Sequence, residues 1–157
     1  MEEKNKDYLL DTNHCAYILN AKSKPENKQS EMEKNTVRMA SSCLDSLIYL
    51  SEATLGELIY GVEYSKQKEK NLQELEAFIK VISPLSVDLE VWDIFGKAKA
   101  QLRKVGKKMP DMDLLIASTA KRYSLILVTN DKHMVLLDHL PEPFVERENW
   151  AQAKKDN

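Results

Sequence analysis

Two apolar runs of this chain lead into an aspartate: "YLLDTN" (8–13) reaches Asp11 and "LILVTND" (125–131) reaches Asp131. Each run reads as a buried strand. Functional groups on a parallel sheet gather outside the carboxyl ends of its strands, so Asp11 and Asp131 are expected to face one cleft. Two further acids are tied to buried faces. Glu57 lies among Thr54, Gly56, Leu58 and Gly61 on a helical stretch, where a carboxylate on the sheet side is costly without a cationic partner. Asp113 opens "DMDLLIASTA" and shares a face with Ile116, Ala117 and Ala120, while a helix N-terminus keeps it ionised. Taken singly, each has a bland role: a surface residue for Glu57, an N-cap for Asp111, a dipole partner for Asp113. Taken together they repel one another unless a cation intervenes. Hard oxygen donors without cysteine or histidine suit Mg²⁺ or Mn²⁺ better than zinc. Magnesium prefers a few carboxylates plus substrate phosphate oxygens, and this points to phosphodiester hydrolysis.

Other chemistries find less support. His14, His133 and His139 are scattered, and a surface or helix-end role is expected for each rather than an acid–base pair. Cys15 and Cys43 have no metal-ligand spacing around them and are expected to be buried free thiols. A phosphotransferase that uses an aspartyl nucleophile after its first strand needs a second aspartate two residues on, where this chain has Asn13.

The elements that must position the acids follow from length and periodicity. The chain has 157 residues, 43% hydrophobic and 31% charged, which fits one domain over 1–157 with its core at about 8–150. No run approaches the ~20 apolar residues of a membrane span, and "MEEKNKD" is charged without a following apolar region, so a soluble cytoplasmic protein is expected. Helical spacing appears after Thr12, at Val37, Ala40, Leu44 and Leu47, at Leu55, Leu58, Ile59 and Val62, at Leu72, Leu75, Phe78, Ile79 and Ile82, and at Leu89, Trp92, Phe95, Ala98 and Leu102. Strands are expected at "YLLD", "IYLS", "LILVT" and "PFVERENW", with a short helix in "KHMVLLDHL". Residues 21–36 are charged, hold a proline and lack an apolar period, and so read as a loop or mobile insertion. Strands alternating with helices predict an α/β fold, a three-layer α/β/α sandwich with a mostly parallel central sheet.

The net charge of −2 gives no global footprint for nucleic acid. From Ile94 to Pro110, however, there is no acid and there are six cations. Helical spacing puts Lys97, Lys104 and Lys108 on one side, with Lys99 and Arg103 on another ridge. Alone this is a solvated face; beside converging acids it becomes a candidate phosphate-binding surface.

"LLDTN", "LSEATLGELIYG", "GKKMPDMDLLIASTA" and "LILVTND" occur in the order and approximate spacing of the PIN-domain ribonucleases of the VapC toxin family, from type II toxin–antitoxin modules, and the chain resembles them from Tyr8 to Trp150. The resemblance implies a PIN-like fold in which Asp11, Glu57, Asp113 and Asp131 bind Mg²⁺ or Mn²⁺. Thr129 helps position water or metal, Thr12 and Asn13 support the first carboxylate, and Asp111 is an auxiliary. It implies an endoribonuclease in which one or two ions, ~3.5–4 Å apart if two, activate water and leave 3′-hydroxyl and 5′-phosphate ends. It also implies RNA as substrate, with Lys97, Lys104 and Lys108 on its phosphates, a homodimer, and a cognate antitoxin lying along the cleft. A non-enzymatic RNA- or protein-binding PIN module is the alternative; it would have lost acids that this chain retains.

Overall fold

The computed structural model describes residues 5–153. Five strands, β1 (Tyr8–Leu10), β2 (Ile48–Ser51), β3 (Ser83–Leu85), β4 (Ile126–Val128) and β5 (Arg147–Glu148), form one sheet of order β3-β2-β1-β4-β5. All four pairings are parallel, with Leu10 between Leu50 and Val128. The central strands alternate their side chains between two apolar layers, which is why they read as unbroken apolar runs. Leu9 and Leu127 pack with Ala98 and Leu102 of α5 (Leu89–Lys104) and with Leu114 and Ala117 of α6 (Asp111–Arg122). Tyr8, Leu10, Ile126 and Val128 face the opposite layer. There they meet Cys15 and Ile18 of α1 (Thr12–Lys22), Leu58 and Val62 of α3 (Glu52–Tyr64), and Leu75 and Phe78 of α4 (Lys68–Val81). The expected α/β/α sandwich is therefore present. Each fully buried leucine of the central strands contributes about 2 kcal/mol of apolar transfer.

Residues 21–36 are not the loop that composition suggested. α1 continues to Lys22, a 3-10 turn covers Glu26–Lys28, and α2 spans Glu31–Ser42. Ser30 caps α2, its hydroxyl accepting from the amide of Glu33 at 3.1 Å. Glu33, Asn35 and Thr36 are buried. Most of their polar atoms find partners: Lys24 Nζ donates to Glu33 Oε1 at 2.9 Å, Asn35 Nδ2 to Ala151 O at 3.0 Å, and Thr36 Oγ1 to Met32 O at 2.7 Å, while Glu33 Oε2 is buried without one. Polar residues bonded to other parts of the chain fill the inner side, so the segment carries no apolar period to detect.

Other expectations shift as well. α2 stops at Ser42, leaving Leu44 and Leu47 exposed outside it. Ile59, Leu72, Leu89 and Trp92 are exposed; α5 buries the expected Ala98 and Leu102, together with Val91. β3 went unforeseen because Pro84 argues against a strand; at the sheet edge its missing N–H is harmless. The short helix expected in "KHMVLLDHL" is present as a 3-10 helix, Lys132–His139, and the last strand is the two residues of β5. Cys15 is buried, which raises its thiol pKa, but Cys43 is only half-buried; both are free. Among the described residues no helix is long and apolar enough to cross a membrane.

Candidate active site

β1 and β4 are neighbours at the centre of the sheet, and each hands its chain to a helix through an aspartate. Asp11 is the N-cap of α1, its carboxylate accepting from the His14 amide at 2.9 Å. The same oxygen, Oδ1, also lies 2.9 Å from His14 Nδ1. Both side chains are buried, Asp11 at 4% and His14 at 0% exposure, so two donors hold this carboxylate and leave its second oxygen available. Asp131 caps the 3-10 segment, accepting from the His133 amide at 2.8 Å. Its own amide donates to Thr129 Oγ1 at 3.1 Å, so buried Thr129 fixes the turn that aims Asp131.

α6 brings the third acid. Pro110 occupies its N-cap position without a side-chain bond, placing Asp111 and Asp113 in the first turn. The carboxylate oxygens of Asp113 and Asp131 and a ring nitrogen of His133 all lie within 4.8 Å of one another, the only such triad among the described residues. Burial, followed by the charge of Asp131, pushes the Asp113 pKa up to about 6; Glu57 adds to the rise and His133 opposes it. Glu57 is thus close enough for its charge to be felt, though it stands outside the triad, as does Asp11. Thr12, the first residue of α1, ties Glu57 down: its hydroxyl donates to Glu57 Oε1 at 2.5 Å and lies 3.3 Å from Thr54 Oγ1. Asn13 is exposed, its Nδ2 donating to Asn130 Oδ1 at 3.3 Å, while Asn130 donates to Tyr17 OH at 2.8 Å.

Sequence reasoning missed two histidines. His14 is the buried partner of Asp11, and His133 belongs to the acidic triad. His133 Nδ1 stands 2.9 Å from Asp131 and 3.3 Å from Asp113 at ion-pair distance, yet this buried atom lacks an aligned hydrogen bond. The signal was present: each histidine follows its aspartate by two or three positions, the reach of a side chain over a cap. The donor set is therefore not oxygen alone. Two carboxylates, one of them shifted up by burial and by the charge of the other, fit a divalent cation, and the oxygens suit Mg²⁺ or Mn²⁺ while the imidazole favours a softer ion than Mg²⁺.

Asp111 is neither an N-cap nor part of the triad; it is exposed and pairs with Lys99 Nζ at 2.8 Å. The lysines regroup too. Lys97 pairs with Asp93 at 2.7 Å and lines a cleft with Lys121 and Phe144, whereas Lys108 lines a separate groove with Lys99, Arg103 and Lys107. Lys104 is exposed in the last turn of α5 and lines neither.

The profile of the PIN domain matches residues 8–140. The tRNA(fMet)-specific endonuclease VapC of Salmonella typhimurium is 34% identical over 144 residues, covering 92% of this chain and 98% of that protein. The chain belongs to the PIN-domain VapC family. A second VapC relative, the ribonuclease VapC2 of Rickettsia felis, is 30% identical over 91% of this chain and 97% of its own. Among solved structures, VapBC2 from Rickettsia felis bound to a promoter DNA fragment superposes with a TM-score of 0.72 at 30% identity, over 91% of this chain and 98% of that one. DNA-bound VapBC from Salmonella typhimurium gives 0.72 at 29% identity, over 92% and 98%. In this VapC-family chain the carboxyl edge of β1 and β4 carries the acids just described.

Proposed function

We propose that this VapC-family protein is a metal-dependent endoribonuclease, the toxin of a type II toxin–antitoxin module. The observation that carries the reading is the convergence of Asp113, Asp131 and His133 within 4.8 Å at the carboxyl edge of the sheet, beside a Glu57 whose charge reaches them. Relatives named as ribonucleases support the activity, and VapBC neighbours support an antitoxin partner. The proposal includes one catalytic domain over 1–157, a homodimer and a cytoplasmic setting.

Asp113 and Asp131, with Asp11 and Glu57, would hold Mg²⁺ or Mn²⁺. When bound, such an ion stabilises charge on the phosphoryl oxygens and acidifies a water. The remaining work falls to the chain. Asp11 is fixed by His14, so its free oxygen costs no reorganisation when it is used. Thr12 holds Glu57 in place, and Thr129 sets the turn that presents Asp131. His133 stands at ion-pair distance from both aspartates and opposes the rise in the Asp113 pKa.

The test is RNA cleavage by the purified protein with Mg²⁺, with Mn²⁺ and in EDTA, with the product ends identified. Cleavage only with metal, leaving 3′-hydroxyl and 5′-phosphate ends, is expected. Full activity in EDTA overturns the metal-dependent reading.

A further inference from the structure

The loop between α5 and α6 builds a second charged surface beside the acidic edge. Gly106 adopts φ +73°, the left-handed conformation that glycine tolerates. The turn is closed by Gly106 N–H to Arg103 O at 3.0 Å and Lys107 N–H to Leu102 O at 2.9 Å, the paired bonds of a Schellman motif. This folds Lys107 and Lys108 back beside the helix they have just left. The result is a groove of about 460 Å³ whose cations are Lys99, Arg103, Lys107 and Lys108. Its floor includes buried Leu102, Met109 and Leu114. Among the described residues Arg103, Lys107 and Lys108 have no acidic partner, and all four cations are exposed. The single acid in the lining is Asp111, paired with Lys99, which also lies over the Phe95 ring at 5.7 Å.

We propose that this groove binds the phosphate backbone of single-stranded RNA flanking the cleaved bond, and that Asp111 occupies Lys99 in the free protein where a phosphate oxygen does so in the complex. The inference rests on the ribonuclease reading above. Asp111 and Asp113 both lie in the first turn of α6 but, two positions apart, on different faces, so the groove and the acidic triad flank the same helix N-terminus. Four cations against one acid match a polyanion, and an apolar floor between charged walls suits sugar and base between successive phosphates. Lys97 and Lys104, on the same helix, lie outside the groove and take no part. The assignment also reverses the expected sign at Asp111. As a metal auxiliary its loss would weaken function; as an occupant of the phosphate site its loss strengthens RNA binding.

The experiment measures binding of a non-cleavable 2′-O-methyl single-stranded RNA by fluorescence anisotropy across a salt series in EDTA, using the full chain. Neutralising Lys99, Arg103, Lys107 or Lys108 to Gln is expected to lower the slope of log affinity against log salt by ~0.7 for each phosphate left without its cation. Lys97→Gln and Lys104→Gln leave the slope unchanged. Asp111→Asn tightens binding roughly two- to fivefold, the scale of a surface ion pair released. An unchanged slope in the quadruple variant, with its fold intact by circular dichroism, overturns the proposal; this is also the result expected if the groove takes an acidic protein segment instead. Weaker binding by Asp111→Asn removes its assigned role. Metal-dependent cleavage with unchanged slopes leaves the nuclease standing without this groove, while altered slopes without any cleavage leave the groove and remove the nuclease.

Discussion

Asp11 and the Asp113–Asp131 pair stand at the same edge of one sheet but in different surroundings. Asp11 is buried, caps a helix and is bonded to both the amide and the ring of His14, so its carboxylate is held in place by the fold. Asp113 is half-buried against another carboxylate, has no cap bond of its own, and has its pKa pushed up to about 6. The first carboxylate is held rigid before any ligand arrives. The pair is under repulsion that a cation would relieve. A site for a divalent ion gains from both: a fixed ligand that sets geometry and a strained pair that supplies affinity.

Replacing the rigid member should have the largest effect. Asp11→Asn keeps a cap acceptor but removes the charge, and RNA cleavage is expected to fall by at least ~100-fold, since a lost metal ligand forfeits several kcal/mol of charge stabilisation. Urea titration should show a stability change within about 1 kcal/mol, because asparagine caps nearly as well as aspartate. Near-normal cleavage by this variant would make Asp11 a cap and nothing more.

Loosening that member is the next test. His14→Phe fills the buried space but offers no Nδ1 donor, and Mn²⁺ affinity measured by calorimetry is expected to drop about 10- to 100-fold, the usual cost of losing a partner behind a ligand. His14→Asn, with a donor at a similar position, should recover part of it. If both variants bind Mn²⁺ like the original protein, the His14 bond serves packing only, and the contrast between rigid and strained acids loses its first half.

The smallest effect concerns the strained pair and is one of stability. In the metal-free protein the folded state holds a proton on Asp113 more tightly than the unfolded state does. Its contribution to stability is therefore present below the ordinary carboxylate pKa and is lost as pH rises through about 6. Asp113→Asn should consequently stabilise the metal-free protein near pH 7, by about 1 kcal/mol once solvent screening of a half-exposed group is allowed for, and the gain should vanish toward pH 4. Thermal melts in EDTA across this range check it. A variant that melts lower than the original at pH 7 would show that Asp113 stabilises the start of α6 rather than straining it.

The parts legible in the sequence share a local cause. β1 and β4 are seen because strands buried on both faces must be continuously apolar, and α6 because proline and acids precede a buried run. The acids at Asp11, Glu57, Asp113 and Asp131 stand out because charge next to buried sequence demands an explanation. What stayed hidden depends on partners far along the chain. α2 conceals its inner face because buried Glu33 and Asn35 bond to Lys24 and to the backbone of Ala151. β3 depends on an edge position that only the sheet order supplies.

By itself the sequence determined which strands are central, that acids end them, and that a cationic stretch precedes the last acidic helix; apolar burial and charge are properties of residues and their near neighbours. The tertiary structure decided which groups meet. Pairing β1 with β4 put Asp11 and Asp131 on adjacent strand ends, and the cap geometry swung His14 and His133 onto them. A left-handed turn at Gly106 exchanged the lysine ridge expected from helical spacing for a groove of Lys99, Arg103, Lys107 and Lys108, and a packed α5–α6 corner gave Asp111 to Lys99 instead of to the acidic triad. Meetings between elements depend on how those elements pack and on the backbone angles between them, and helical periodicity within one segment carries neither.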